Sequence, residues 1–164
     1  MADMNEYAPE LEEDTLKDRY LTFSIGDETY GIELKYVTEI MGIQAITRIP
    51  ELPEYVKGVI NLRGRIIPVI DVRLRFKKEP KDYNDRTCVI VIDINGTPIG
   101  LIVDAVSEVI TIPEKDIADP PQISKSVNNK YIKKIGKVGN DVKLLLDCEM
   151  LLSEDELTDI NKAV

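Results

Sequence analysis

The sequence predicts an all-β protein built as two small β-barrels of about five strands each, closed by a short C-terminal helix. Three observations carry this. First, the 164 residues include 22 Ile and 14 Val, side chains that lose rotamer freedom in helices and pack well on a pleated surface. Second, the chain repeats itself. Residues 23–43 (FSIGDETYGIELKYVTEIMGI) match residues 92–112 (IDINGTPIGLIVDAVSEVITI) without gaps at an offset of 69, and residues 55–76 (YVKGVINLRGRIIPVIDVRLRF) match 131–152 (YIKKIGKVGNDVKLLLDCEMLL) at an offset of 76. Third, turn residues recur at matched places: Gly26-Asp27 with Asn95-Gly96, and Arg63-Gly64 with Gly139-Asn140, each between apolar runs as a hairpin requires.

Taken in order, residues 1–18 are an acidic leader with seven acids against one Lys and no periodic apolar set, the signature of a disordered segment. Residues 19–152 form the folded body, in approximate copies 20–76 and 89–152. Each copy reads as hairpin, Val-x-Glu strand (Val37-Thr38-Glu39, Val106-Ser107-Glu108), loop and second hairpin. The seven-residue drift between the two offsets is a longer loop in the second copy. Residues 77–88, beginning KKEPKDYND, are the linker. Residues 153–164 form the helix, with Ser153 as N-cap and Glu156 completing a capping box. A copy of this length is near the lower limit for independent folding, and barrel closure removes most exposed strand edges.

Composition excludes several classes. The acidic start is unlike a signal peptide, and no run of about 18 apolar residues occurs, so the chain reads as a soluble cytoplasmic protein. Cys88 and Cys148 lie in apolar runs without CxxC spacing and read as buried reduced thiols. The net charge of −9 argues against nucleic acid and anionic membrane surfaces as partners, and the missing apolar run against direct membrane insertion. One basic strip stands out: residues 57–86 hold nine Lys or Arg against four acids.

Chemistry is sparse. The absence of His removes the commonest general base and transition-metal ligand. There is no GxSxG elbow, no phosphate-binding glycine loop and no metal-ligand spacing, so neither an enzyme nor a cofactor is expected. Gly136-Lys137-Val138-Gly139 resembles a GxxG loop but falls where the duplication predicts a hairpin. Asp71 and Asp147 end apolar strands, where an Asp accepts turn hydrogen bonds. A nucleic-acid-binding small barrel is the alternative reading, and a hydrolase built on the two aspartates a distant third. What the strands offer is an interaction surface. In Lys35–Met41, period-2 alternation sets Val37 and Glu39 against Thr38 and Ile40, so one face exposes an apolar side chain or buries a polar one. Arg63, in the NLRG turn, could pair with Glu39, fix the hairpin or face a partner.

At these residues the chain resembles the CheW-type chemotaxis coupling proteins. The resemblance is carried by YLTFSIGDETYGIELKYVTEI, YVKGVINLRGRIIPVIDVRLRF and TPIGLIVDAVSEVI, and runs from about residue 19 to 152. It implies two SH3-like five-stranded barrels with strands intertwined between them, so the sequence copies need not coincide with the barrels. It further implies a non-enzymatic adaptor at membrane-associated receptor arrays. Its partners would be the regulatory domain of the histidine kinase CheA and the cytoplasmic hairpin tip of chemoreceptors. The partner-binding positions it implies are Val37, Glu39, Ile40, Gly58, Arg63, Gly100 and Val106.

Overall fold

The computed structural model describes residues 16–120 and 130–163. Most of the acidic leader expected to be disordered therefore lies outside the described residues. Eleven strands are present among those described: β1 (Arg19–Ile25), β2 (Glu28–Glu33), β3 (Val37–Gly42), β4 (Val56–Leu62), β5 (Arg65–Asp71), β6 (Cys88–Ile94), β7 (Thr97–Val103), β8 (Ala105–Thr111), β9 (Ile117–Ala118), β10 (Ile132–Val138) and β11 (Asp141–Leu146). They form two sheets, ordered β8-β1-β2-β11-β10-β9 and β3-β6-β7-β5-β4.

The sheets do not follow the copies. Each sheet takes its first hairpin from one copy and its remaining strands from the other: β1-β2 sit with β8 to β11, and β6-β7 with β3 to β5. The crossings are short. A 3-10 turn over Leu34–Tyr36 leads from β2 to β3, and Asp104 alone separates β7 from β8. Connectors this short carry the third strand across to the neighbouring sheet, which is why a sequence repeat here is not a physical domain.

Closure explains the count of six strands where five were expected. The chain leaving β3 bends and pairs Thr47 with Val59 of β4, each N–H donating to the other's carbonyl at 2.9 Å. The chain leaving β8 bends in the same way, and its continuation, β9, pairs with β10. β9 is thus the end of a bent third strand. Gly58 makes the first closure possible. Its φ is +145°, and a Cβ there would lie 2.1 Å from the Thr47 carbonyl oxygen, a separation no side chain tolerates.

The second hairpins pack through parallel pairs, β11 on β2 and β5 on β7. Gly31 and Gly100, equivalent in the repeat, both lie in these pairs. A Cβ at Gly100 would meet Val69 and Val89 methyls at 2.7 and 2.8 Å, and one at Gly31 the Leu145 Cδ2 at 3.0 Å. Between the sheets lies a shared core from both, including Leu21, Phe23, Tyr30, Ile32, Ile90, Ile92, Ile99 and Leu101. The rings of Phe23, Tyr30, Phe76 and Tyr131 run through it with centroids 5.3–5.9 Å apart. A second core of Ile60, Ile67, Val69, Val89, Val91 and Ile102 fills the other face of the β3-β6-β7-β5-β4 sheet. β6 and β7 are therefore covered on both faces, as their near-continuous Val/Ile runs require.

Asp71 and Asp147 cap the one-turn helices Val72–Arg75 and Cys148–Leu151 by accepting from Leu74 N–H and Glu149 N–H. Asp71 also accepts from the Tyr83 hydroxyl at 2.8 Å, which ties the linker down. Gly139 lies in the β10-β11 hairpin turn, so the GxxG segment is a hairpin. The terminal helix, Glu154–Ala163, opens with the reciprocal box: Ser153 N–H donates to Glu156 and Glu156 N–H to Ser153 Oγ, at 2.9 and 3.1 Å. Cys148 is fully buried, and burial pushes its thiol up to about 12. Cys88 is only half-buried, because it opens β6 at the rim, and its thiol donates to the Arg86 carbonyl.

Candidate docking surface

β3 terminates its sheet, and its alternation is clean: Val37, Glu39 and Met41 are half-buried while Thr38, Ile40 and Gly42 point outward. Val37 packs against the shared core. Ile40 is 43% exposed. Of the two outcomes the alternation allowed, the strand takes the first and presents an apolar side chain to solvent.

Glu39 and Arg63 meet across the barrel end. Arg63 donates through both terminal nitrogens to both Glu39 carboxylate oxygens, one contact at 3.1 Å. The Arg63 side chain remains three-quarters exposed, that of Glu39 one-quarter. The turn that holds Arg63 is costly for it. Arg63 and Gly64 have φ of +52° and +85°, as Asn95 and Gly96 have +51° and +86° in the matching hairpin. Such a two-residue turn prefers Asn-Gly, and an Arg in the left-handed region costs about 1–2 kcal/mol. Asn61 offsets part of this by accepting from Gly64 N–H at 2.9 Å. Strain of this kind in a bulky charged residue points to a role for its side chain. Beside the pair, Thr38, Leu62, Arg65 and Ile67 line a cleft of about 360 Å³, and Ile66 is 51% exposed.

The repeat places a related but different surface on the other sheet. Val106 is half-buried against the shared core, as Val37 is. Val109 and Val142, equivalent to Ile40 and Ile66, are 38% and 55% exposed. Arg63, however, has Gly139 as its counterpart, so Glu108 faces no such arginine. The exposed apolar residues Ile66, Val109 and Val142 escaped the sequence reading, although the offset of 69 leads from Ile40 to Val109. Gly58 and Gly100 are both buried; the missing side chain allows barrel closure at Gly58 and close strand approach at Gly100.

Three of the nine cations of the basic strip are consumed in internal ion pairs. Arg73 pairs with Asp104 at 2.9 Å, both side chains only 15% exposed. Burial works to raise the Asp104 carboxyl, but hydrogen bonds from Arg73 and the Gly26 N–H hold it below its ordinary value. Arg75 pairs with Glu156 and Lys78 with Glu28, each at 2.7 Å. Arg65, Lys77, Lys81 and Arg86 remain exposed. Among the described residues no cluster of three or more Cys, Asp or Glu could hold a metal ion, and no helix is long and apolar enough to cross a membrane.

The family model described as CheW-like domain matches residues 19–156. The chemotaxis protein CheW of Klebsiella aerogenes is 36% identical over 144 residues, covering 88% of this chain and 87% of that protein. That of Helicobacter pylori is 36% identical over 137 residues, covering 84% and 82%. Among solved structures, the scaffolding protein TtCheW from Thermoanaerobacter tengcongensis superposes with a TM-score of 0.78 at 35% identity, covering 85% of this chain and 94% of that one.

Proposed function

The chain belongs to the CheW-like family, and from that premise we propose that it is a non-enzymatic chemotaxis adaptor coupling chemoreceptors to the histidine kinase CheA in the cytoplasm. The observation that carries the finer reading is the pairing of two related surfaces with different chemistry. One barrel presents Ile40 and Ile66 beside the Glu39–Arg63 pair, and the other presents Val109 and Val142 without such a pair. A molecule that holds two different partners needs two such surfaces. The CheA regulatory domain and the receptor hairpin tip are the partners assigned to them, with Val37, Glu39, Ile40, Arg63 and Val106 as the contact set.

The mechanism is positional. The adaptor transfers no group; it fixes receptor and kinase relative to one another, so a shift in the receptor biases a kinase equilibrium. Individually modest contacts gain strength from repetition in an array. The test is capture of a CheA regulatory domain and a receptor cytoplasmic fragment, separately and together, by the immobilised chain. Capture of both in one complex supports the reading. Failure to capture either, with the chain folded, overturns it.

A further inference from the structure

Four hairpins reverse through two-residue turns, and they do so in two ways. Gly26-Asp27 and Gly139-Asn140 open on glycine, and positive φ is confined to that glycine. In Arg63-Gly64 and Asn95-Gly96 both residues have positive φ, and the first carries a side chain. Glycine enters the left-handed region without steric cost, whereas a residue with a Cβ does not.

The second kind carries a brace. Two positions before Arg63, Asn61 Oδ1 accepts from the Gly64 N–H at 2.9 Å; two positions before Asn95, Asp93 Oδ1 accepts from the Gly96 N–H at 2.7 Å. The glycine-led turns have Ser24 and Lys137 at that place, and a lysine has no acceptor to offer. An acceptor side chain thus stands where a residue other than glycine must be held left-handed. Asn95 is itself a natural occupant of that region; Arg63 is not, so the brace matters most for Arg63.

The direction of the Arg63 side chain is set by this backbone conformation. Its guanidinium must reach Glu39, 24 residues away, while three-quarters of the side chain stays in solvent. Asn61 is exposed, and neither it nor Arg63 nor Gly64 belongs to either core, so the bond secures little of the fold. We propose that Asn61 is a positioning residue for docking: through the Gly64 N–H it holds Arg63 in the left-handed conformation that presents the guanidinium to Glu39 and to a partner. The inference rests on the coupling role given to Arg63 and extends it to a residue that acts through the turn.

The test uses the full chain carrying Asn61→Ala, Asn61→Asp, Arg63→Ala, or Asn61→Ala with Arg63→Ala. The three-bond HN–Hα coupling of residue 63 reads its φ with no partner present, and titration with the CheA regulatory domain and a receptor cytoplasmic fragment reads docking. Asn61→Ala should move that coupling away from its parental value with the melting temperature nearly unchanged. A turn competent about one-fifth of the time binds about fivefold more weakly, and Asn61→Ala should lose about that much toward the partner that Arg63→Ala weakens. Asn61→Asp keeps the acceptor, as Asp93 does, and should retain both the φ and the affinity. In the Arg63→Ala background Asn61→Ala should add no further loss. Parental affinity in Asn61→Ala, with Arg63→Ala weak, overturns this proposal and leaves the coupling site standing; parental affinity in Arg63→Ala overturns both. An unchanged coupling at residue 63, an Asn61→Asp as weak as Asn61→Ala, or a large fall in melting temperature also overturns it, the last by making Asn61 a structural residue.

Discussion

The guanidinium of Arg63 and the carboxylate of Glu39 form a two-pronged ion pair between residues 24 apart in sequence, joining the β4-β5 turn to β3 at one end of the barrel. Its arginine is mostly exposed, and exposed pairs contribute only about 0–1 kcal/mol to stability. A charge at a partner interface costs 2 kcal/mol or more when truncated. Arg63→Ala and Glu39→Ala are therefore expected to melt within a few degrees of the parent while binding the CheA regulatory domain or receptor fragment more weakly by about tenfold or more, a loss of at least about 1.4 kcal/mol. The double variant should lose less than the sum of the singles. Calorimetric titration beside thermal melts checks both; normal binding by both singles would place the contact elsewhere.

Much of this pair was legible in the sequence, because the Val-x-Glu strand and the NLRG turn are local patterns with fixed geometry. The hairpins and the capping box at Ser153 and Glu156 were legible for the same reason. What the sequence hid is long-range. Nothing local says that β3 crosses to β6, since a strand's alternation is the same whichever sheet receives it. Nor does a Gly in VKGVI announce that the chain 11 residues upstream will press its carbonyl against it, so Gly58 entered only as a partner-binding position implied by the family resemblance. Ile40 could be placed only as one of two alternatives, because alternation fixes faces and not which face is inside.

The closure at Gly58 gives a prediction that separates fold from docking. With 2.1 Å between a Cβ and the Thr47 oxygen, and only Thr47 and Arg48 backbone atoms within reach, Gly58→Ala cannot be absorbed by a rotamer change. A loss of about 3 kcal/mol or more is expected, at the severe end of single substitutions. Denaturant unfolding measures it directly. Any binding defect of Gly58→Ala should scale with the fraction unfolded, unlike that of Arg63→Ala; a stable variant with a specific binding defect would return Gly58 to the docking surface.

Gly31 and Gly100 are equivalent in the repeat but differ in what surrounds them. Gly100 is gripped by two β-branched valines, which have little rotamer freedom, whereas Gly31 meets only the end of a flexible leucine. Gly100→Ala should cost about 2–3 kcal/mol, within the range for overpacking, and Gly31→Ala about 1 kcal/mol or less. Equal losses in urea melts would mean that backbone pairing, rather than side-chain crowding, fixes glycine at both sites.

Ile40 and Val109 hold equivalent outward positions on β3 and β8. If the two surfaces serve different partners, Ile40→Asp and Val109→Asp should each weaken one partner by tenfold or more and leave the other within about twofold. Both positions are solvent-facing, so stability should change by about 0.5 kcal/mol or less. Parallel titrations of each variant against both partners decide it. A common loss for one partner and none for the other would reduce two surfaces to one.

The terminal helix is latched by Glu156. Its carboxylate accepts from the Ser153 N–H, the Tyr55 hydroxyl and the Arg75 guanidinium, which is itself only 10% exposed and lies 4.2 and 5.2 Å from the ring centres of Tyr55 and Tyr131. Burial alone would raise this carboxyl; the hydrogen bonds and the arginine outweigh it and bring it down to about 2. Because the folded value lies below the ordinary 4.5, the unfolded state binds the proton first. The stabilisation is complete above about pH 4.5 and is lost as pH falls through about 2. Glu156→Gln removes the charge but keeps the shape, and leaves the buried Arg75 guanidinium with the Leu151 carbonyl at 2.8 Å and no carboxylate. It should cost on the order of 1–3 kcal/mol at neutral pH and flatten the dependence between pH 4.5 and 2. Hydrogen exchange of the helix amides reads the latch locally: they should exchange faster than the sheet amides in the variant, and in the parent only as acid is added. If helix and sheet amides accelerate together, Glu156 secures the whole fold rather than its last helix.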